Sequence, residues 1–251
     1  MDATRPLILL SNDDGFQAKG LRILRDALAE LGDVFVAAPE TEQSVSSHAL
    51  TLTRPLRLRD HGAGIFSIDG TPADCVYVAL NSGQRVLPRR ADIVVSGINH
   101  GLNLGTDVFY SGTVAAAREG ALRGYRALAA SSGSGADLEK AAVVVRQLVF
   151  GLLEEPPRPV LLNVNFPPGS SWPVRATRLG ERVYTDAVDF RLDPRRNEYL
   201  WLGGPGAEHR PSPGSDTEAY DAGAVGVTPL VLDLFAAEDA IVAERVVRRA
   251  V

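Results

Sequence analysis

The chain has 251 residues, which suits one large α/β domain, and 45% are hydrophobic, so a sizeable core can form. A formal net charge of −5 gives no general attraction to a nucleic-acid polymer. One cysteine, Cys75, excludes an intramolecular disulfide and a cysteine-built zinc site, and His48, His61, His100 and His209 show no metal-ligand spacing. The N-terminal residues lack a basic leader, and no stretch approaches the ~20 apolar residues needed to span a bilayer, so a cytoplasmic protein with no membrane partner is expected.

Residues 7–11 read as a fully buried strand. In "GLRILRDALAELG", Leu21, Leu24, Leu28 and Leu31 share one helical face and Gly32 is a stop signal. "VFVAAP" (34–39) is a second buried strand, so the chain opens as strand, helix, strand, the unit that builds a parallel sheet. Residues 40–50 form a polar loop, 51–59 a peripheral strand and 64–70 another short strand. A helix follows over 71–83, with Thr71 as its cap, Pro72 in its first turn and Asp74 matched to its dipole. Core strands are predicted at 91–97, 125–132 and 159–167, and helices at 111–124 and 137–155. Residues 168–222 are rich in Gly, Pro, Arg and spaced aromatics, and read as a projecting arm with an exposed hairpin around "RATRLGERVYTDAVDFRLD"; Trp172, Tyr184 and Trp201 there are candidates to contact a base or a neighbouring subunit, with ordinary packing as the alternative. Core character returns at 224–234, and 238–249 predicts a terminal helix. The fold class is α/β with a mainly parallel sheet and a C-terminal arm, the whole chain counting as one domain.

Ligands of parallel α/β sheets bind outside the carboxyl ends of the strands. Four polar clusters fall there: "NDDG" at 12–15, "EQSVSSH" at 42–48, "SGINHGLNLG" at 96–105 and "YSGTVAAA" at 110–117. Adjacent carboxylates repel, and burial drives one toward neutrality, so Asp13 and Asp14 belong either to a solvated turn or to a site for a hard cation such as Mg²⁺ or Mn²⁺. Asn99 and Asn103 offer carbonyl oxygens to such a cation, or are turn formers in a glycine-rich loop. Ser44 offers a hydroxyl, or is a solvated loop serine. Ser111, Gly112 and Thr113 start a helix, where free N–H groups and the dipole favour an anion; plain capping is the alternative. His48 and His100 are candidate general acids or ordinary hydrogen-bonding residues. Lys19 reads as solvated, and Cys75 as core.

The blocks "ILLSNDDG", "APETEQSVSSHALTLT", "DGTPADCVYVAL", "ADIVVSGINHGLNLGTDVFYSGTVAAAREG", "LLNVNFP" and "GVTPL" resemble the signatures of the SurE family, the stationary-phase survival proteins, in the family's order from residue 8 to residue 230. The resemblance implies a Rossmann-like three-layer core. It implies a phosphatase acting on nucleoside 5′- and 3′-monophosphates and on short polyphosphate, releasing inorganic phosphate, with one divalent ion, Mg²⁺ or Mn²⁺, per subunit. It implies a homodimer or homotetramer with exchanged C-terminal elements. Carried over, its metal ligands fall on Asp13, Asp14, Ser44 and Asn99, with Asp13 and Asp14 at the catalytic centre. Its phosphate-side residues fall on Asn12, Ser111, Gly112 and Thr113. One departure stands out: many members read Gln-Ser-Gly where this chain has Val45 after Ser44.

Three rival classes share parts of this pattern. A dinucleotide-dependent oxidoreductase needs Gly-x-Gly-x-x-Gly after the first strand, which "SNDDGFQAKG" lacks. A haloacid-dehalogenase-like phosphatase needs Asp-x-Asp, and here the aspartates are adjacent. A phospho-receiver, or another non-enzymatic phosphate-binding module, also carries an acidic pair after its first strand. A receiver is shorter, however, and needs an aspartate ending its third strand and a lysine ending its fifth.

Overall fold

The computed structural model describes residues 5–184, 188–203 and 206–250. Strand β1 (Leu7–Ser11) is buried along its whole length, because helices cover both faces of the sheet; such a strand reads as one apolar run. Helix α1 (Lys19–Ala29) buries Leu21, Leu24 and Leu28. It ends before Gly32, whose role is spacing: a Cβ there would collide with the Pro6 carbonyl. Strand β2 (Asp33–Pro39) pairs in parallel with β1, Leu9 opposite Phe35.

The expected strand at 51–59 shrinks to β3 (Leu58–Asp60), antiparallel to β4 (Ile65–Ile68). Side chains take the donors a ladder would need. The Thr51 N–H donates to Asp74 Oδ1 at 2.8 Å and the Arg57 N–H to Asp69 Oδ1 at 2.7 Å, and Pro55 between them has no N–H. Helix α2 (Pro72–Asn81) begins as its sequence predicts, with Thr71 and Asp74 forming a reciprocal capping box.

Next come β5 (Ile93–His100), a 3₁₀ turn (Gly105–Phe109), α3 (Gly112–Leu122), β6 (Arg126–Ser132), α4 (Leu138–Glu154) and β7 (Val160–Phe166). The later segment contributes β8 (Val174–Ala176), β9 (Glu181–Tyr184), β10 (Val188–Leu192), β11 (Glu198–Leu202), β12 (Ala207–Arg210), α5 (Asp216–Asp221), β13 (Val225–Leu230) and α6 (Ala240–Ala250).

The main sheet runs β3-β4-β2-β1-β5-β6-β7-β13-β8, parallel except where β3 meets β4 and β13 meets β7. The α/β, mainly parallel expectation holds. Alternate residues of the central strands face two cores. Leu7, Leu9, Val94 and Ala127 pack with Val76 of α2 and Ala116 of α3; Ile8, Leu10, Val95 and Leu128 pack with Leu24 of α1 and Val145 of α4. Helix, sheet and helix make three layers. Among the described residues no helix is long and apolar enough to cross a membrane.

The stretch read as an exposed hairpin differs from that reading. Strand β9 pairs with β12 and β10 with β11, giving two ribbons, and the described parts of β9 and β10 do not pair with each other. Thr185, Asp186 and Ala187, in the middle of that stretch, lie outside the described residues. Strand β8, within the segment read as arm, is in fact an edge of the main sheet beside β13.

Candidate active site

The order of the sheet reverses at β1, with β2 on one side and β5 on the other. A crevice opens at such a switch point, outside the carboxyl ends of the strands. Asp13 and Asp14 follow β1, and Asn99 lies near the end of β5, where the pairing with β6 shifts register between Ser96 and Asn99. A cavity of about 750 Å³ lies here, lined by Asp13, Ser44, Asn99, Asn103 and Ser111 on its polar side.

The start of α3 abuts Asp13. The Thr113 hydroxyl donates to Asp13 Oδ1, and Ser111 Oγ caps the helix by accepting from the Val114 N–H at 3.0 Å. A Cβ at Gly112 would sit 2.8 Å from that of Asp13, so this approach requires glycine. The first N–H groups of α3 have no acceptor within the helix, so the turn 111–113 offers positive dipole beside a carboxylate. Burial lifts the Asp13 carboxyl to about 6, the Thr113 hydroxyl draws it back and the Asp14 charge adds to the rise. Asp14 also sits above the usual range, chiefly through burial; the His100 N–H, 3.2 Å from its Oδ2, works against the rise and Glu42 adds to it. Two adjacent acids whose ionised forms are disfavoured are suited to a cation.

The other expected residues divide. Asn99 donates its Nδ2 to the Gly101 carbonyl at 2.9 Å, and its Oδ1 accepts no hydrogen bond among the described residues. Ser44 is on the cavity wall, but its hydroxyl donates to Glu42 Oε1 at 2.6 Å. Asn12 is fully buried and is not among the lining residues. Its Nδ2 holds the Gly15 carbonyl at 2.9 Å, shaping the turn that presents the aspartates, and its Oδ1 has no partner among the described residues. Asn103 is tied into the sheet: its Nδ2 donates to Ser131 Oγ at 2.7 Å, and its carbonyl accepts from Asn163 and Asn165. Among the described residues no group of three or more His, Cys, Asp or Glu gathers. A cation here would rest on two carboxylates and neutral oxygens, a hard donor set that fits Mg²⁺ or Mn²⁺.

His48 and His100 do not behave alike. His48 Nε2 is 2.9 Å from Oε2 of the buried Glu119, whose Oε1 accepts from Arg123 at 2.7 Å. His48 does not line the cavity; it fastens the 41–50 loop to α3. His100 is exposed on the cavity wall.

Sequence reasoning missed Asp107, and offered Tyr184 only as an arm aromatic for a base, a neighbouring subunit or packing. Asp107, in the 3₁₀ turn, accepts from the Tyr184 hydroxyl at 2.6 Å and from the Arg182 guanidinium, and so joins the arm to the cavity. Its partners lie 75 and 77 positions away, so no local spacing could reveal it.

Comparison with known proteins adds an independent line. The family model described as "Survival protein SurE" matches residues 8–186. A relative from Sorangium cellulosum named 5′-nucleotidase SurE is 63% identical over 239 residues, 93% of each chain. A protein of the same name from Vibrio cholerae is 45% identical over 236 residues, covering 92% of this chain and 93% of its own. The crystal structure of the SurE protein from Aquifex aeolicus is 36% identical, with a TM-score of 0.83 over 96% of this chain and 99% of its own.

Proposed function

The chain belongs to the SurE family, and from that premise we propose that it is a metal-dependent phosphomonoesterase hydrolysing nucleoside 5′- and 3′-monophosphates, with short polyphosphate as a further substrate. Water adds to phosphorus, the ester P–O bond breaks, and nucleoside and inorganic phosphate leave. The cytoplasm is its proposed compartment.

One observation carries the reading: Asp13, lifted to about 6 by burial, shares a cavity with the N-terminus of α3, where Gly112 lets backbone approach it. Asp13, Asp14 and Asn99 would hold one divalent ion, Mg²⁺ or Mn²⁺, and Ser44 would join them by giving up its bond to Glu42. A divalent ion so held polarises a phosphoryl oxygen and lowers the pKa of bound water. The protein supplies the rest. Gly112 and Thr113 offer their N–H groups, and Ser111 its hydroxyl, to the remaining phosphoryl oxygens. Asn12 acts through the turn it shapes, keeping both carboxylates at the end of β1. A receiver or other non-enzymatic module is not favoured, because the curated relatives are named as nucleotidases.

The same proposal includes assembly. Apolar residues of α6 and of the β10–β11 ribbon are exposed, among them Val246, Phe190 and Trp201, which supports a homodimer or homotetramer that exchanges C-terminal elements.

The test is phosphate release from 5′- and 3′-nucleoside monophosphates with Mg²⁺, with Mn²⁺ and after chelation. Chelator-sensitive release is expected, and Asp14→Asn is expected to abolish it while the fold persists. Near-normal turnover in that variant, or release that ignores chelation, would refute the assignment.

A further inference from the structure

The cavity has two halves built by different parts of the chain. Its polar half comes from the ends of β1 and β5 and the start of α3. Its outer half is apolar and aromatic, lined by Leu102 and Tyr110 from the core and by Tyr184, Val188 and Leu202 from the arm. Tyr184 ends β9, and its hydroxyl is already committed to Asp107, so what it offers the cavity is its ring. Burial, with the Asp107 carboxylate that accepts from it, pushes the pKa of that hydroxyl up to about 12 and keeps it protonated.

Asp107 is only 8% exposed, and both its oxygens are used by the arm: Oδ1 by Tyr184 and Oδ2 by Arg182. The guanidinium of Arg182 also lies 5.3 Å from the centre of the Tyr184 ring. A second buried carboxylate fastens the base of the same junction. Asp216 accepts from the Gly105 N–H at 2.9 Å and the Gly180 N–H at 2.7 Å, drawing the 3₁₀ turn and the entry to β9 together. A Cβ at Gly105 would approach the Gly180 carbonyl oxygen to 2.7 Å, so the two backbones meet closely. The arm wall is therefore held by buried, charge-assisted bonds to the turn that precedes Ser111, and not by loop packing alone.

We propose that the Asp107–Arg182 pair positions the arm wall so that the cavity's outer half is a nucleoside subsite, and that this junction separates nucleoside monophosphates from phosphate esters that carry no base. Asp107 and Arg182 are positioning residues; they act on the nucleoside end through Tyr184 and leave the reacting phosphate to the other half. A flat, neutral base suits a wall of rings and aliphatic side chains on which the Tyr184 hydroxyl is already occupied. The inference rests on the nucleotidase reading of the site.

The test compares the full-length protein with Arg182→Gln, Arg182→Lys and Asp107→Asn on two substrates, a nucleoside 5′-monophosphate and glycerol phosphate. Losing a charge-assisted bond predicts a rise in KM for the nucleotide of about ten-fold in Arg182→Gln and Asp107→Asn. For both variants kcat, and kcat/KM on glycerol phosphate, are expected to stay within about two-fold, and Arg182→Lys to fall between them and the parent. The double variant is expected to be no worse than either single one, since both remove the same interaction. An unchanged nucleotide KM, or equal losses on both substrates, overturns the inference. If the parent hydrolyses neither substrate, the nucleotidase reading fails by itself. Calorimetric titration with the nucleoside monophosphate and with inorganic phosphate then decides: Arg182→Gln weakens only the first if the subsite is real, and both or neither if it is not.

Discussion

Val45 is a β-branched residue at φ 58°, next to Ser44 and 75% exposed. Such a backbone costs about 1–3 kcal/mol for a side chain of this kind. Glycine would relieve it at an entropic cost of about 0.5–1 kcal/mol. Val45→Gly is therefore expected to raise stability by about 1 kcal/mol in denaturant unfolding; a loss would mean that the Val45 side chain makes contacts worth more than the strain. Asp13 gives a second prediction, with its sign set by linkage. Its carboxyl rises from 3.8 to about 6 on folding, so the metal-free native state holds a proton the unfolded chain has released across that window. Stability must then fall as pH rises through it, by roughly 2–3 kcal/mol in all. In chelated protein, Asp13→Asn is expected to remove this fall and to unfold later than the parent above pH 6, although it is inactive. If the parent's stability does not decline between pH 4 and 7, Asp13 is not disfavoured as an anion. The adjacency of Asp13 and Asp14 was plain in the sequence; that one of them would be buried and in contact with Thr113 was not, because the contact spans 100 positions.

The 41–50 loop has no helix or strand of its own; backbone bonds such as Gln43 N–H to the Asp13 carbonyl hold it, and His48 ties it to the buried Glu119 carboxylate. Burial by itself would raise Glu119, but hydrogen bonds from His48 and Arg123 outweigh it and hold its carboxyl below the usual range. A depressed pKa stabilises the fold above the unfolded value of 4.5, and that contribution is lost as pH falls through the folded value. Glu119→Gln is expected to cost about 1–3 kcal/mol at pH 7 and progressively less below pH 4.5, read as converging unfolding midpoints. A constant difference across that range would assign the loss to packing. Elements with a strong period were legible: the continuous apolar run of β1, Leu21, Leu24 and Leu28 of α1 and the Thr71 cap of α2 stand where the residues place them, while Leu31, read on the same face, falls beyond the end of α1. Elements defined by distant partners were not. The strand expected at 51–59 gives its donors to Asp74 and Asp69, and the 3₁₀ turn at Gly105–Phe109 is fixed by Asp216, 111 positions away. Local pattern carries no trace of either.

At the scale of the molecule, the apolar surface is in the wrong place for an isolated chain. Helix α6 has eleven residues, and Ile241, Val242, Val246 and Val247 are all exposed, from 48% to 62%. Leu234 and Phe235, on the way into it, are 83% and 71% exposed. A helix this short is marginal in water without tertiary packing, since isolated helices need about 12–15 residues even with favourable composition. The β10–β11 ribbon has the same difficulty: every residue is exposed, and a lone two-stranded ribbon is at best marginally stable. Two elements that cannot hold themselves, both late in the chain and both apolar, are accounted for together if a second copy of this chain covers them. The alternative, that each finds a different partner, requires two coincidences. Light scattering of the full chain is therefore expected to give twice or four times the mass of one chain. Phe235→Glu with Val246→Glu is expected to shift it toward the monomer, because each glutamate would place a charge in an apolar contact. A monomeric parent chain would sink the assembly proposal while leaving the polar side of the cavity untouched, since Asp13, Asn99 and Ser111 all come from the core of one chain.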